Sequence, residues 1–453
     1  MLVDGEHYPP VVEAALNDVV ARGDEVAAAV LVGGREKLPG DGIAAYGTHK
    51  VVTGDDPRTV LDRAIVDLEP DGILDLSDEP VLDYRRRMAL ISIALYRRVP
   101  YAGTDFTFTP PRMDPIATKP SLAVIGTGKR TGKTAVAGFA ARTLVQSGHH
   151  PVVVAMGRGG PPEPEVLHGD EVTLQPSELV ELAESGRHAA SDYVEDALLG
   201  RVKTVGCRRC GGGLAGGVEI SNVAEGVRIA NELPGDLLLL EGSGSAIPPV
   251  RADASILIVP ASIPEEYLAG YLGSYRLLLA DFVVVTMCEE PFGSPSKIES
   301  LATLIEESWD PSTAGKAPGG ATKVVRTVFR PTPTRSVDGA RVFVTTTAPE
   351  VVGGSIKSHL EDEHGCEVVG ISHSLSDRQK LQEELRGLGD RADVLLCEIK
   401  AAGIDVATRT ALEEGLEVAY MDNVPHGIDG DDPAELIEEA GNMATTRFHQ
   451  ERE

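Results

Sequence analysis

Ser121-Leu122-Ala123-Val124-Ile125-Gly126-Thr127-Gly128-Lys129-Arg130-Thr131-Gly132-Lys133-Thr134 runs from a short apolar strand into a Gly- and Lys-rich loop and on into a helix. A loop of this kind points several backbone N–H groups at one spot and sets a helix N-terminus behind them, which is a polyphosphate cradle. In that cradle Lys133 reaches the β- and γ-phosphates, and the Thr134 hydroxyl is placed to hold Mg²⁺. The nucleotide-binding candidates are therefore Gly126, Thr127, Gly128, Lys129, Arg130, Thr131, Gly132, Lys133 and Thr134.

The loop departs from the usual G-x-x-x-x-G-K-[ST] pattern, which needs Gly where this chain has Thr127. Counted from Gly126 it is one residue longer. That form, opening Gly-Thr and closing Gly-Lys-Thr, resembles the loop of dethiobiotin synthetase and its relatives, which activate small anionic substrates.

A P-loop enzyme also needs an acid delivered to the metal by a buried strand. Asp236-Leu237-Leu238-Leu239-Leu240-Glu241-Gly242-Ser243-Gly244-Ser245 supplies one: four leucines read as a central strand and Glu241 stands at its carboxyl end. Ligands of open α/β sheets bind at those ends. Thr134 and Glu241 are the candidate metal ligands, and Lys133, Lys129 and Glu241 the candidate catalytic residues.

Around this centre, apolar runs at 122–125, 152–155, 237–240, 255–259 and 282–286 alternate with helical stretches, the pattern of a parallel sheet covered on both faces. The fold class expected is α/β, with a central P-loop NTPase-like parallel sheet domain over 116–325. It is flanked by an N-terminal α/β domain (1–115) and a C-terminal α/β domain (326–453). Gly315 to Thr322 reads as a small-residue linker, and the last dozen residues read as polar and frayed.

The 453 residues carry a net charge of −28, and only 12 of the 42 basic residues are lysine. So acidic a surface disfavours nucleic acid and anionic membranes as partners, neither of which is expected, and it suggests a salt-rich cytoplasm. An anionic ligand then needs a local basic island. The candidates are Lys129-Arg130 with Lys133, Arg208-Arg209, and Arg85-Arg86-Arg87. Five cysteines, an odd number, argue against a disulfide framework. No signal peptide and no membrane-spanning run is evident, so the expected compartment is cytoplasmic.

Gly206-Cys207-Arg208-Arg209-Cys210-Gly211-Gly212-Gly213-Leu214-Ala215-Gly216-Gly217 has several readings. Its Cys-x-x-Cys pair suits half a zinc site, but no second pair or His pair completes one. A redox pair lacks a thioredoxin-like context. As an anion site, Arg208 and Arg209 offer forked donors, and Gly211, Gly212 and Gly213 offer a nest of backbone N–H groups. A flexible structural loop is the remaining reading. Arg158, in Met156-Gly157-Arg158-Gly159-Gly160, joins the substrate-binding candidates because its strand end faces the γ-phosphate in this topology; an ordinary Gly-rich turn is the other reading. The loop at Met287-Cys288-Glu289-Glu290-Pro291 stands where a base contact is often made, and reads equally as a plain connecting loop. Asp4 and His7 read as a helix cap and a surface imidazole.

Together these segments resemble cyclic 2,3-diphosphoglycerate synthetase, an archaeal family. The likeness rests on Leu2–Pro10, Asp75–Val81, the 126–134 loop, Val205–Gly217, Glu241–Gly244 and Val325–Pro331, in order along essentially the whole chain. It implies ATP- and Mg²⁺-dependent closure of 2,3-diphosphoglycerate, a small-molecule substrate, through an intramolecular phosphoanhydride bond, with release of ADP and phosphate. The sequence is compatible with a homodimer. The C-terminal part also looks like a domain found beside P-loop sugar-lipid kinases, which makes His373, Asp377 and Lys400 further candidates, although each taken alone reads better as an ordinary surface residue. Two other functions share these features: a dethiobiotin-synthetase-like ligase acting on another small anion, and a non-catalytic nucleotide switch.

Overall fold

The computed structural model describes residues 1–38, 46–173, 175–308 and 323–452; the expected linker Gly315 to Thr322 lies outside them. Two compact units are present. One holds Met1–Arg112, Ile263–Ala280 and the helix residues from Glu299 onward; the other holds Met113–Ser262, Asp281–Ile298 and Lys323–Glu453.

In the first unit, the parallel strands Leu2–Val3, Ala29–Leu31 and Val51–Val52 form one small sheet, and Ile73–Leu74, Tyr101–Ala102 and Thr107–Phe108 form another. Asp4 leaves the first strand fully buried. It accepts hydrogen bonds from the backbone N–H groups of Glu6, His7 and Asp78, and its Oδ1 lies 2.9 Å from His7 Nδ1. Burial opposes its charge, but these donors outweigh burial and hold the carboxyl below its ordinary range. Asp4 is thus a knot between loops rather than a helix cap; the next helix, Pro9–Ala21, is preceded by Tyr8 and has no side-chain cap. The basic run 85–87 is no free island either. Arg87 is 2.9 Å from buried Asp75, and Arg86 sits on Val81 O and Asp83.

Among the described residues, the second unit is built on a sheet of thirteen strands. In chain order these are β1 (Ser121–Gly126), β2 (Pro151–Gly157), β3 (Glu165–His168), β4 (Lys203–Cys210), β5 (Ile220–Ser221), β6 (Leu237–Glu241), β7 (Ala254–Pro260), β8 (Phe282–Thr286), β9 (Lys323–Pro333), β10 (Arg341–Thr345), β11 (Glu367–Ser372), β12 (Val394–Glu398) and β13 (Glu417–Gly427). Their order across the sheet is β5-β4-β2-β6-β1-β7-β8-β9-β13-β12-β10-β11, with β3 on β4. Strands β4, β2, β6, β1, β7 and β8 pair in parallel, so their carboxyl ends share one edge. Strand β9 carries the sheet onward: Lys323 to Arg326 pair in parallel with β8, and Thr327 to Pro333 pair antiparallel with β13.

Because the sheet is continuous, one core serves the P-loop segment and the C-terminal segment alike. Leu144, Leu237 and Ile256 belong to the same apolar cluster as Phe343, Leu395 and Tyr420. The C-terminal helix, Pro433–Gln450, packs on this core through Leu436, Ile437, Ala440 and Ala444, and Arg447 lies 2.9 Å from Asp281. The chain end is therefore anchored rather than frayed. Arg142, on α1 (Lys133–Gln146), pairs with Asp422 of β13. Lys400 stands 3.1 Å from Glu195 of α2 (Asp192–Gly200). Burial pushes the Glu195 carboxyl up to about 8, with Lys400 opposing it. Burial opposes the Lys400 charge too, but Glu195 and Glu398 outweigh it and raise that ammonium above its ordinary range.

Two measurements check this description. Leu239 is fully buried in the middle of β6, so Leu239→Ala is expected to cost about 2–5 kcal/mol of unfolding free energy in a denaturant titration. Glu195 is raised in the folded state, so its contribution to stability is complete below its ordinary value of 4.5 and is lost as pH rises through about 8. The ligand-free protein should lose thermal stability across that window, and Glu195→Gln should show a shallower decline. An equal slope in both proteins would contradict the assignment.

Candidate active site

Strand β1 delivers its backbone to the loop, and α1 begins at Lys133. Gly132, immediately before the helix, has φ +84, and a Cβ there would come within 2.3 Å of the Phe329 ring. Both the left-handed turn and the close approach demand glycine. Thr127 N–H donates to Ile258 O, and Thr131 O accepts from the Thr286 hydroxyl, so the loop is pinned to β7 and β8. Among the described residues, no backbone N–H from Gly128 to Gly132 donates to another protein group. They remain available to a phosphate.

Parallel pairing in register sets Glu241 of β6 beside Val124 of β1. Glu241 is fully buried; its Oε1 lies 3.5 Å from Lys133 Nζ, its Oε2 has no protein partner, and the Thr134 hydroxyl faces the same carboxylate. Lys133 is itself buried. Lys129 and Arg130 are exposed on the outside of the loop. Lys133, Thr134 and Glu241, far apart in the chain, are thus brought together.

Sequence reasoning missed three acids. Helix α2 opens with Asp192 and carries Glu195 and Asp196 one turn on. Asp196 is buried against Glu241, and Asp192 lies near enough to act on both. Burial, followed by the neighbouring Glu241, drives the Asp196 carboxyl well above its ordinary range; Glu241 is raised as well, by burial against the pull of Lys133. The spacing of the three acids over one helical turn was the available signal.

The Cys-Arg-Arg-Cys segment is strand, not loop, as far as Cys210. Side chains therefore alternate between faces. Cys207 and Arg209 are buried, whereas Arg208 and Cys210 are exposed. The two arginines do not form one fork, and the two cysteines do not form one pair. Arg209 donates to Ser243 O at 2.7 Å and to Gly211 O at 3.2 Å, while its Nε has no partner. Arg158 joins it: a Cβ on Gly244 (φ +60) would be 2.9 Å from Arg158 Nη2 and 3.5 Å from Arg209 Nη2. Burial and the Arg158 charge together pull the Arg209 value down. In the glycine nest, Gly213 N–H is spent on Gly217 O, which removes that donor. The basic island of the structure is Arg158 with Arg209. It lies beside the P-loop, since the Gly244 carbonyl closely approaches Gly126.

The other candidates are placed as follows. Glu289 is tied to Arg330 by two hydrogen bonds of 2.7 and 2.8 Å. His373 Nδ1 is 2.8 Å from Ala348 O, and Asp377 caps the helix Arg378–Glu384. Both serve the local fold. Lys400 reaches the cluster only through Glu195.

Three family models for cyclic 2,3-diphosphoglycerate synthetase match the chain: an N-terminal domain over residues 1–109, a P-loop domain over 121–314 and a C-terminal domain over 333–424. Proteins named cyclic 2,3-diphosphoglycerate synthetase are similar along nearly all of it. That of Rubrobacter xylanophilus is 49% identical over 95% of each chain. That of Methanothermus fervidus is 44% identical over 94% of this chain and 93% of its own. That of Thermococcus kodakarensis is 43% identical over 99% of each. Rubrobacter is a bacterium, so the family is not confined to archaea. The chain is an enzyme of the cyclic 2,3-diphosphoglycerate synthetase family, a family of P-loop synthetases.

Proposed function

We propose that the chain uses ATP to close 2,3-diphosphoglycerate into its cyclic phosphoanhydride, releasing ADP and phosphate. The observation that carries this reading is the meeting of a P-loop with free N–H groups, a buried Lys133–Glu241 pair and the Arg158–Arg209 island on one sheet edge. A nucleotide switch has no use for a buried arginine, Arg209, flanked by the exposed Arg158 beside its γ-phosphate position. A ligase for a singly charged anion has little more.

The residues at Glu241 fit a divalent cation. An oxygen-only donor set is formed by Thr134 and a buried carboxylate whose Oε2 has no protein partner. Magnesium held there supplies neutralising charge to the phosphates. What remains is done by the chain's own groups. Backbone N–H groups of 128–132 seat the ATP phosphates. Lys133 follows the γ-phosphoryl as it moves, and Lys129 closes over it from outside the loop. Arg158 and Arg209 hold the two substrate phosphates, with Gly211 and Gly212 beside them.

In the reaction, one substrate phosphate accepts the γ-phosphoryl and ADP leaves. The second substrate phosphate then attacks the phosphorus of the first, forming the ring anhydride and expelling inorganic phosphate. A phosphate dianion is already nucleophilic, so no general base is assigned. The protein contributes alignment and charge neutralisation.

Phosphorus NMR of the product, with ADP release measured with and without 2,3-diphosphoglycerate, tests the reading; release indifferent to that compound would overturn it. Lys133→Ala is expected to lower kcat by about 10²–10³ or more. Arg209→Ala should raise the KM for diphosphoglycerate by about 10–150-fold while leaving ATP affinity near wild type. Exposed Arg208→Ala should shift that KM less than about fivefold. The reverse ranking would return Arg208 to the site.

A further inference from the structure

Asp196 and Glu241 are two carboxyl groups facing each other in a buried place. Asp196 is 2% exposed and Glu241 0%, and Asp196 Oδ2 and Glu241 Oε2 both lack a protein partner. Two such carboxyl groups need a positive charge between them, either a proton or a metal ion. The nearby lysines do not supply it: Lys133 is on Glu241 Oε1, and Lys400 is on Glu195.

We propose that Asp196 and Glu241 bind a second divalent cation beyond the one assigned to Thr134 and Glu241. This second site rests on that assignment and extends it, with Glu241 shared between two ions. An all-carboxylate set completed by phosphate oxygens suits Mg²⁺ or Mn²⁺. Charge balance points the same way. Each substrate phosphate brings about −1.5 to −2, and ATP brings more. A single divalent ion leaves this much charge poorly compensated in a buried place. A second ion removes the repulsion from Asp196 and turns it into a ligand field. Two ions sharing one carboxylate can clamp a transferring phosphoryl group from both sides.

The variant Asp196→Asn separates the two possibilities, because an amide can donate to Glu241 and replace a shared proton but cannot replace an anionic ligand. Mn²⁺ is titrated into the full chain with a nonhydrolysable ATP analogue and 2,3-diphosphoglycerate, and bound ions are counted by EPR. Wild type should bind two ions per chain with an exchange-coupled spectrum, and Asp196→Asn one, uncoupled. One uncoupled ion in wild type would overturn the second site and leave the Thr134–Glu241 assignment standing. No bound ion in wild type would overturn both. Two ions in Asp196→Asn would also refute it, by showing that Asp196 is no ligand. Thermal unfolding of the metal-free variant checks its fold. Should the variant fail to fold, the wild-type count and coupling decide alone.

Discussion

A lysine and a glutamate, both out of water and 3.5 Å apart, are the point on which this site turns. Neither charge is tolerable alone at that depth, since an unpaired buried ion costs several kcal/mol. Glu241 must therefore stand at the end of β6 and nowhere else, which requires β6 to run parallel and adjacent to β1 in the observed register. The four leucines before Glu241 hold the strand in place, and Gly132 lets the loop turn so that Lys133 faces it. Sheet order, core packing and loop geometry all answer to that one pair.

The same edge resolves the tension between an acidic protein and a polyanionic ligand. A net charge of −28 repels phosphates at a distance, more weakly as salt screens it. Close in, the pleat of β4 turns Arg209 inward while Arg208 points out, and the end of β2 adds Arg158 from the neighbouring strand. Attraction is thus confined to the place where phosphate is handled. Carboxylates of α2 border it, which gives the site opposite charges a few ångströms apart.

Through β9 the C-terminal segment becomes part of the same sheet. Phe329 rests on the P-loop glycine, Arg142 reaches Asp422, and Lys400 stands against Glu195, the acid next to Asp196. These contacts give the C-terminal segment a part in setting the electrostatics of the site without touching the P-loop lysine. Burial of so many ionisable groups trades stability for a fixed arrangement of charge, as expected where groups must be held ready for a transferring phosphoryl.

Local chemistry was written plainly in the chain. The P-loop announced itself by glycines and lysines at set spacing, and β6 by an apolar run ending in an acid, because each depends only on neighbours in sequence. The strand 203–210 was hidden by its glycine, cysteines and arginines, which suit a loop as well as a strand until a partner strand is known. Asp192, Glu195 and Asp196 were three acids among 70, and only the packing of α2 on the sheet distinguishes them from solvated ones. The partnership of Arg209 with Arg158 rather than Arg208 was likewise decided by tertiary structure. Pleating separates sequence neighbours onto opposite faces, and parallel pairing joins strand ends that are remote in the chain.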